Sequence, residues 1–390
     1  MPNIAVHRLH SQQLEHTRLE KPVEVLTWLG AVQAQDYAGA KWSLGLRLPD
    51  STDAGIEQAI ADNAFFRTWA MRGTLHFVAA SDIRWLLALV APRIIARNAR
   101  RYSELELDER TLARSSAVLA DALQGGKQLN RSELLAVLEQ NSISTQGQRA
   151  AYMLQRASLD GLICQGVMRR NDPTYMSLDE SLPETRVMEH DQAVVELTRR
   201  YFTSRGPATL QDFVWWSGLS TADARAGLEE IEPQLIRESV EGRIYWLSRP
   251  MPEDSSSTVY LLPGFDEYLL NYRDRSASLD AVHAKTLNAG GGVLSPTIVV
   301  EGRVVGTWKR TFKKDTVVIT VSPFASLSQA QNRALSAAVE RHSGFVGMPV
   351  SARLLPTVGA LSARRLGLRR PACQLLSAHT KAEKLTSEAL

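Results

Sequence analysis

The sequence predicts an α+β protein, helical in its first two-thirds and strand-rich in its last third. Apolar residues recur at helical spacing to about residue 250 and alternate at strand spacing afterwards. A pattern of helix, short turn, helix and hairpin occurs twice between residues 130 and 248. A polar stretch, MPEDSSS at 251–257, separates the two regimes. The 390 residues suffice for two or three cores, and 44% hydrophobic with 22% charged residues excludes a disordered or collagen-like chain.

In order, PVEVLTWLGAVQAQ (22–35) opens with a proline suited to a first helical turn and reads as a helix. WSLGLRL (42–48) reads as a short strand, and TDAGIEQAIADNA (52–64) as a helix capped by Thr52 or Asp53. FFRTWAM and TLHFVAA form a strand pair turning at Arg72-Gly73, and residues 81–103 a long helix that Pro92 should kink. The first copy of the repeated pattern has helices at 130–140 and 144–160 and a hairpin at 162–178 turning at Asn171-Asp172-Pro173. The second has helices at 209–219 and 220–231 and a hairpin at 235–248 turning at Glu241-Gly242. That order is the winged-helix plan, used by DNA-binding proteins and also by protein scaffolds.

Past the linker, TIVVEGRVVGTW (297–308) places two apolar strands around Glu301-Gly302, a two-residue hairpin signal. TVVITVSPF (316–324) adds a strand and residues 326–343 a closing helix, which together suggest a small β-barrel-like domain. Beyond about residue 346 periodicity fades, and 346–390 reads as a poorly ordered tail.

The 45 Lys+Arg against 42 Asp+Glu give +3, but residues 351–390 hold seven basic and two acidic groups. Without them 38 basic face 40 acidic groups, a net −2, so only local clusters can argue for a nucleic-acid partner. Two exist. Residues 84–101 hold Arg84, Arg93, Arg97, Arg100 and Arg101 with no acid. Residues 303–314 hold Arg303, Lys309, Arg310, Lys313 and Lys314, interleaved with Trp308 and Phe312. Cations for phosphates and flat rings for bases suit a DNA groove; a solvated strand face is the plainer alternative.

Cys164 and Cys373 have no partner spacing, so neither a disulfide framework nor a Cys-based zinc site is expected. The eight histidines show no metal-ligand pair, and Gly290-Gly291-Gly292 precedes a strand, which suits a loop better than a phosphate cradle. The chain shows no signal-peptide core and no 18-residue apolar run, so a cytoplasmic protein, nucleoid-associated when on DNA, is expected.

AVQAQDY (31–37) is the least ordinary segment. Gln33 and Gln35 would point apart in an intact helix, but converge if the helix ends near Gly39. A carboxamide is a weak base that can still orient a water and offer a carbonyl dipole to developing positive charge. A helix-end Gln pair that merely caps or faces solvent is the alternative.

Four segments resemble the winged-helix DNA-binding protein family that contains the AlkZ and YcaQ DNA glycosylases: LGAVQAQDY, RTWAMRGTLHFV (67–78), LLPGFDEYLLNYRDR (261–275) and IVVEGRVVGTWKR (298–310). The resemblance implies a third, N-terminal winged helix. The domain plan is then 1–125, 126–188 and 189–250 for the winged helices and 258–345 for the barrel-like domain, with the tail 346–390 departing from the family and without a counterpart in it. It further implies a monofunctional DNA glycosylase acting on double-stranded DNA with an alkylated or crosslinked base, without cofactor or metal. Gln33 and Gln35 inherit the catalytic roles, one placing the water and the other stabilising an oxocarbenium-like sugar. Asp36, the adjacent carboxylate, and His76 are candidates for support, although a buried structural His76 is the plainer reading. Arg84, Arg93, Arg97 and the hairpin residues Arg303, Trp308, Lys309, Arg310, Lys313 and Lys314 are the expected DNA contacts. A non-catalytic winged-helix DNA-binding protein or transcriptional regulator is the alternative.

Overall fold

The computed structural model describes residues 3–182, 186–250, 258–288, 294–356 and 375–376; the polar linker, the triple-glycine loop and most of the tail lie outside them. The chain divides into two units, Met1–Ser255 with Pro263–Ala281, and Ser256–Leu262 with Val282–Leu390. No helix among the described residues is long and apolar enough to cross a membrane.

The first unit begins with α1 (Ile4–Ser11) and α2 (Pro22–Leu29). Gly30, at φ 76°, ends α2, and the chain leaves as a short strand, β1 (Val32–Gln33). The helix expected to reach residue 35 therefore stops six residues earlier, because a left-handed glycine breaks the ladder. α3 (Tyr37–Gly45) follows, capped by Asp36, whose Oδ1 accepts from Gly39 N at 3.0 Å. Residues 42–48 were expected as a strand; most of them complete α3. Every residue from 39 to 48 is buried, so the polar stripe that betrays a helical period is missing.

Next come α4 (Asp53–Ala61), capped by Thr52, and the pair β2 (Phe65–Trp69) and β3 (Leu75–Ala79). α5 (Ile83–Glu104) continues unbroken through Pro92. α6 (Glu109–Ala122) was not anticipated: Ser115 and Ser116 share its buried face with Leu112 and Leu119, which thins the apolar stripe. Then follow β4 (Leu129–Asn130), α7 (Arg131–Gln140), α8 (Arg149–Leu159), β5 (Ile163–Arg169), β6 (Asp172–Ser177) and α9 (Leu178–Ser181). The β5–β6 turn falls on Arg170-Asn171, both at positive φ, one residue earlier than the sequence suggests.

α10 (His190–Arg205) was also unforeseen, since it buries Arg200, Ser204 and Arg205 among its apolar residues. α11 (Leu210–Ser217), α12 (Thr221–Ile231) and the hairpin β7 (Ile236–Val240) and β8 (Arg243–Leu247) match expectation, with the turn at Glu241-Gly242. One six-stranded sheet runs β1-β3-β2-β5-β6-β4, so the 162–178 hairpin joins the N-terminal strands, while β7–β8 stands apart. After the excursion through the second unit, α13 (Glu267–Leu270) returns to the first. Its core stacks Tyr201, Phe202, Phe213 and Trp216 with centroid spacings of 5.0–6.4 Å.

The second unit is a sheet ordered β14-β13-β12-β11-β10-β9. Its strands are β9 (Val259–Leu262), β10 (Thr297–Val300), β11 (Arg303–Phe312), β12 (Val317–Pro323), β13 (Val350–Leu354) and β14 (Leu375–Leu376). α14 (Ala284–Leu287) precedes the β10–β11 hairpin, and α15 (Gln329–Val346) packs on β9 and β13. The expected barrel is an open sheet: among the described residues β9 and β14 are unpaired edges. α15 carries the chain from β12 to the parallel β13, a crossover that sets the new strand at the far side rather than closing on β9. The expected tail also starts too early, since α15 runs to Val346 and β13 pairs through Leu354; residues 357–374 and 377–390 lie outside the described residues.

Trp308 points into this unit. It is 4% exposed, its Nε1 donates to Leu262 O at 2.8 Å, and its ring meets His342 edge-on. The exposed, base-stacking role expected for it is therefore corrected: alternation along β11 turns Trp308 inward and Lys309 outward. Trp308→Ala should cost about 3–5 kcal/mol of stability, read by urea denaturation.

Candidate active site

Gln33 ends the short strand β1 and Gln35 lies two residues on, in the bend before α3, so the segment is not the frayed helix end the sequence suggests. β1 pairs with β3, Gln33 opposite His76, and Ala34 N donates to Leu75 O at 2.7 Å. On the other side, Gln33 N donates to Glu267 Oε1 at 2.7 Å. Arg72 Nη2 donates to Gln33 Oε1 at 3.0 Å, and Leu75 N donates to Gln35 Oε1 at 3.2 Å. Both partners can only donate, so the oxygen of each carboxamide must face them. The two Nε2 groups consequently point elsewhere, and among the described residues neither donates to a protein atom. Gln33 is 7% exposed and Gln35 is exposed, so the pair sits at the rim of the fold.

Three arginines brace this segment. Arg72, at φ 58° in the left-handed region, also donates to Trp216 O. Such a conformation costs about 1–3 kcal/mol and persists only where its surroundings enforce it. Arg67 Nε reaches Ala34 O at 2.9 Å, Nη1 reaches Gln165 Oε1 at 2.8 Å and Nη2 reaches Gln35 O at 3.4 Å. Arg205 Nη1 holds Leu29 O at 2.6 Å, and its guanidinium lies 4.1 Å from the Trp216 ring centroid. Burial lowers the pKa of all three below the usual arginine value.

Behind them sits Glu267, paired with Arg205 at 3.0 Å, the two side chains 1% and 0% exposed. Its neighbour Asp266 caps α13 and grips Arg47 through two 2.9 Å bonds. Burial, the largest single influence, would raise the Asp266 carboxyl. Arg47, Ser43 and Tyr268 N together hold it below the ordinary range.

His76 is fully buried, and its Nδ1 lies 2.9 Å from Thr74 O, so Nδ1 carries the proton. Nε2 has no hydrogen-bond partner. Burial, helped by the Arg72 charge, lowers its pKa to about 4, so the ring is neutral near pH 7. The folded state thus resists protonation that the unfolded chain accepts near 6.5. The contribution, roughly 3 kcal/mol, is complete above about pH 6.5 and is lost as pH falls toward 4. His76→Gln should flatten the dependence of the urea midpoint on pH between 6.5 and 4.5.

Asp36 caps α3 from an exposed position beside the glutamines. Arg84 pairs with Asp179 and donates to Gly161 O, whereas Arg93 and Arg97 donate to Gly218 O and Arg72 O. In the second unit Arg303, Lys309, Lys313 and Lys314 are exposed, and Arg310 is half-buried 5.8 Å from the Phe312 ring centroid. Sequence reasoning missed Arg67, Arg72, Arg205 and Glu267. The first two and Glu267 lie inside the segments RTWAMRGTLHFV and LLPGFDEYLLNYRDR, but an ion pair spanning 62 positions leaves no local pattern.

The model of the AlkZ-like DNA glycosylase family matches residues 26–345. An interstrand DNA cross-link repair glycosylase of Streptomyces sahachiroi is 27% identical over 372 residues, covering 88% of this chain and 96% of that protein. The solved structure of the Streptomyces sahachiroi DNA glycosylase AlkZ shares the fold, with a TM-score of 0.72 at 24% identity over 90% of this chain and 98% of that one. The family match spans most of the chain, including both glutamines and the arginine–glutamate network behind them, so the chain belongs to the AlkZ-like family of DNA glycosylases and is an enzyme of DNA repair.

Proposed function

We propose that the protein hydrolyses the N-glycosidic bond of an N7-alkylated or crosslinked purine in double-stranded DNA, with Gln33 and Gln35 as its catalytic residues. The observation that carries this reading is the pair of carboxamides at the rim, each held by its oxygen. A cationic alkylpurine leaves as a neutral base, so no strong general acid is required, and a placed water with modest electrostatic help suffices. The two amides suit different tasks. Gln33 has the Arg72 cation on its carbonyl, which opposes positive charge at that oxygen; its free N–H groups hold the water. The Gln35 carbonyl meets only a backbone N–H and is the better dipole for an oxocarbenium-like sugar. Asp36 and His76 are spent on a cap and on the core.

The Streptomyces relative, named for cross-link repair, supports including crosslinked bases among the substrates. The α7–α8–β5–β6 and α11–α12–β7–β8 groupings are read as winged-helix units following an N-terminal one. The exposed cations of β11 and the segment after it are read as further duplex contacts. The site of action is read as the cytoplasm, on nucleoid DNA.

Duplexes carrying N7-methylguanine or a crosslink, incubated with enzyme and then heated in alkali, should break at the lesion. The Gln33→Ala, Gln35→Ala double variant should release almost none. Equal release by both proteins would refute the assignment, and duplex binding without any release would favour a non-catalytic DNA-binding regulator.

A further inference from the structure

The arginines of residues 84–101 have different fates. Arg84 is paired with Asp179, and Arg100 and Arg101 with Glu104. Among the described residues Arg93 and Arg97 have no carboxylate partner. Arg93 Nε donates to Gly218 O at 3.0 Å, Arg97 Nη2 donates to Arg72 O, and the remaining N–H groups of both are uncommitted. Four positions apart on α5, they share a helix face on which like charges repel. A fold gains nothing from that arrangement unless an anion completes it.

A recess of about 200 Å³ lies between them, lined by Arg72, Arg93, Arg97, Ser217, Gly218 and Leu219. Three arginines line it, and among the described residues no carboxylate does. Planar forks of this kind match the oxygens of a phosphate two at a time. Arg72 is the link to chemistry, since this lining residue also holds Gln33 Oε1 through its guanidinium. Its left-handed backbone is held by Arg97, which donates to Arg72 O, while its side chain donates to Trp216 O.

We propose that this recess binds one backbone phosphate of the damaged strand beside the target nucleotide, and that Arg72 ties that phosphate to the placement of Gln33. The inference rests on the glycosylase reading of Gln33 and Gln35. The test of the phosphate site does not, because it reads duplex affinity; only the tie to Gln33 is read by excision.

A single neutral methylphosphonate linkage is walked along an N7-methylguanine duplex, and each duplex is titrated against the wild type and the Arg93→Gln, Arg97→Gln variant. One position near the lesion should weaken wild-type binding about tenfold and leave the variant unaffected. The variant should also lower the slope of log affinity against log salt by about one. Both arginines are exposed, so its melting temperature serves as the check on folding. A profile with no special position, or one that persists in the variant, overturns the phosphate site. Arg72→Lys keeps the charge but cannot bridge Trp216 O and Gln33 Oε1. It should slow single-turnover excision at saturating DNA at least tenfold with Kd changed less than threefold. Equal losses in rate and affinity overturn the tie to Gln33. Loss of excision in the glutamine variants with the methylphosphonate position intact separates the two readings.

Discussion

Gln33→Ala is expected to slow base release by about 10²–10³-fold, the usual effect of removing one preorganised hydrogen-bonding group from a transition state. The loss should appear in the single-turnover rate at saturating duplex, with affinity almost unchanged, because in the proposed mechanism the amide acts as the bond breaks. Gln35→Ala should fall in the same range. The double variant should lose less than the product of the two, since in the proposed mechanism both amides serve one water and one sugar. Gln33→Glu is informative in the other direction. A carboxylate would still accept from Arg72, but it would lose the free N–H groups that hold the water, so it should not restore the rate. Rates measured on an N7-methylguanine duplex decide the matter, and a loss below tenfold for both single variants would move the chemistry elsewhere.

Glu267→Ala carries the largest expected stability effect. It leaves the Arg205 guanidinium charged and fully buried without its carboxylate, and it removes the acceptor of Gln33 N. Breaking one side of a buried pair costs about 3–5 kcal/mol. In a unit of this size each kcal/mol moves the melting temperature by roughly 2–4 °C, so a drop of roughly 6–20 °C is expected. Glu267→Gln keeps an acceptor for Gln33 N and removes only the charge; it should fall between the wild type and the alanine variant. Replacing both partners, Glu267→Leu with Arg205→Met, should recover part of the loss, because no unpaired charge is then left in the core. Thermal melting of the four proteins tests this. An alanine variant melting within two or three degrees of the wild type would show that water reaches Arg205.

Much of the architecture was legible because it is local. Caps at Thr52 and Asn130, the prolines and glycines at turns, and the two-residue hairpins at Glu241-Gly242 and Glu301-Gly302 all act within a few residues of where they are read. The elements that escaped share one cause. α3 is buried on every side, and α6 and α10 bury serines and arginines, so the contrast between faces on which periodicity depends is weak. The barrel and the early tail failed for a different reason. Whether a sheet closes, and whether a late segment pairs, depends on partners far along the chain.

The sequence by itself determined the α+β class, singled out the glutamine pair as its least ordinary segment, and fixed the local placement of basic residues. Tertiary structure alone decided how those residues are used. It turned Trp308 inward, placed His76 in the core and Asp36 on a helix cap, and left Arg93 and Arg97 without counter-charges among the described residues. It also set Arg72, Arg205 and Glu267 behind Gln33 from three distant segments. The physical reason is that a side chain's role follows from its burial and its partners. In this chain the partners of residues 31–35 come from 32 to 234 residues away, a distance over which no spacing rule reaches.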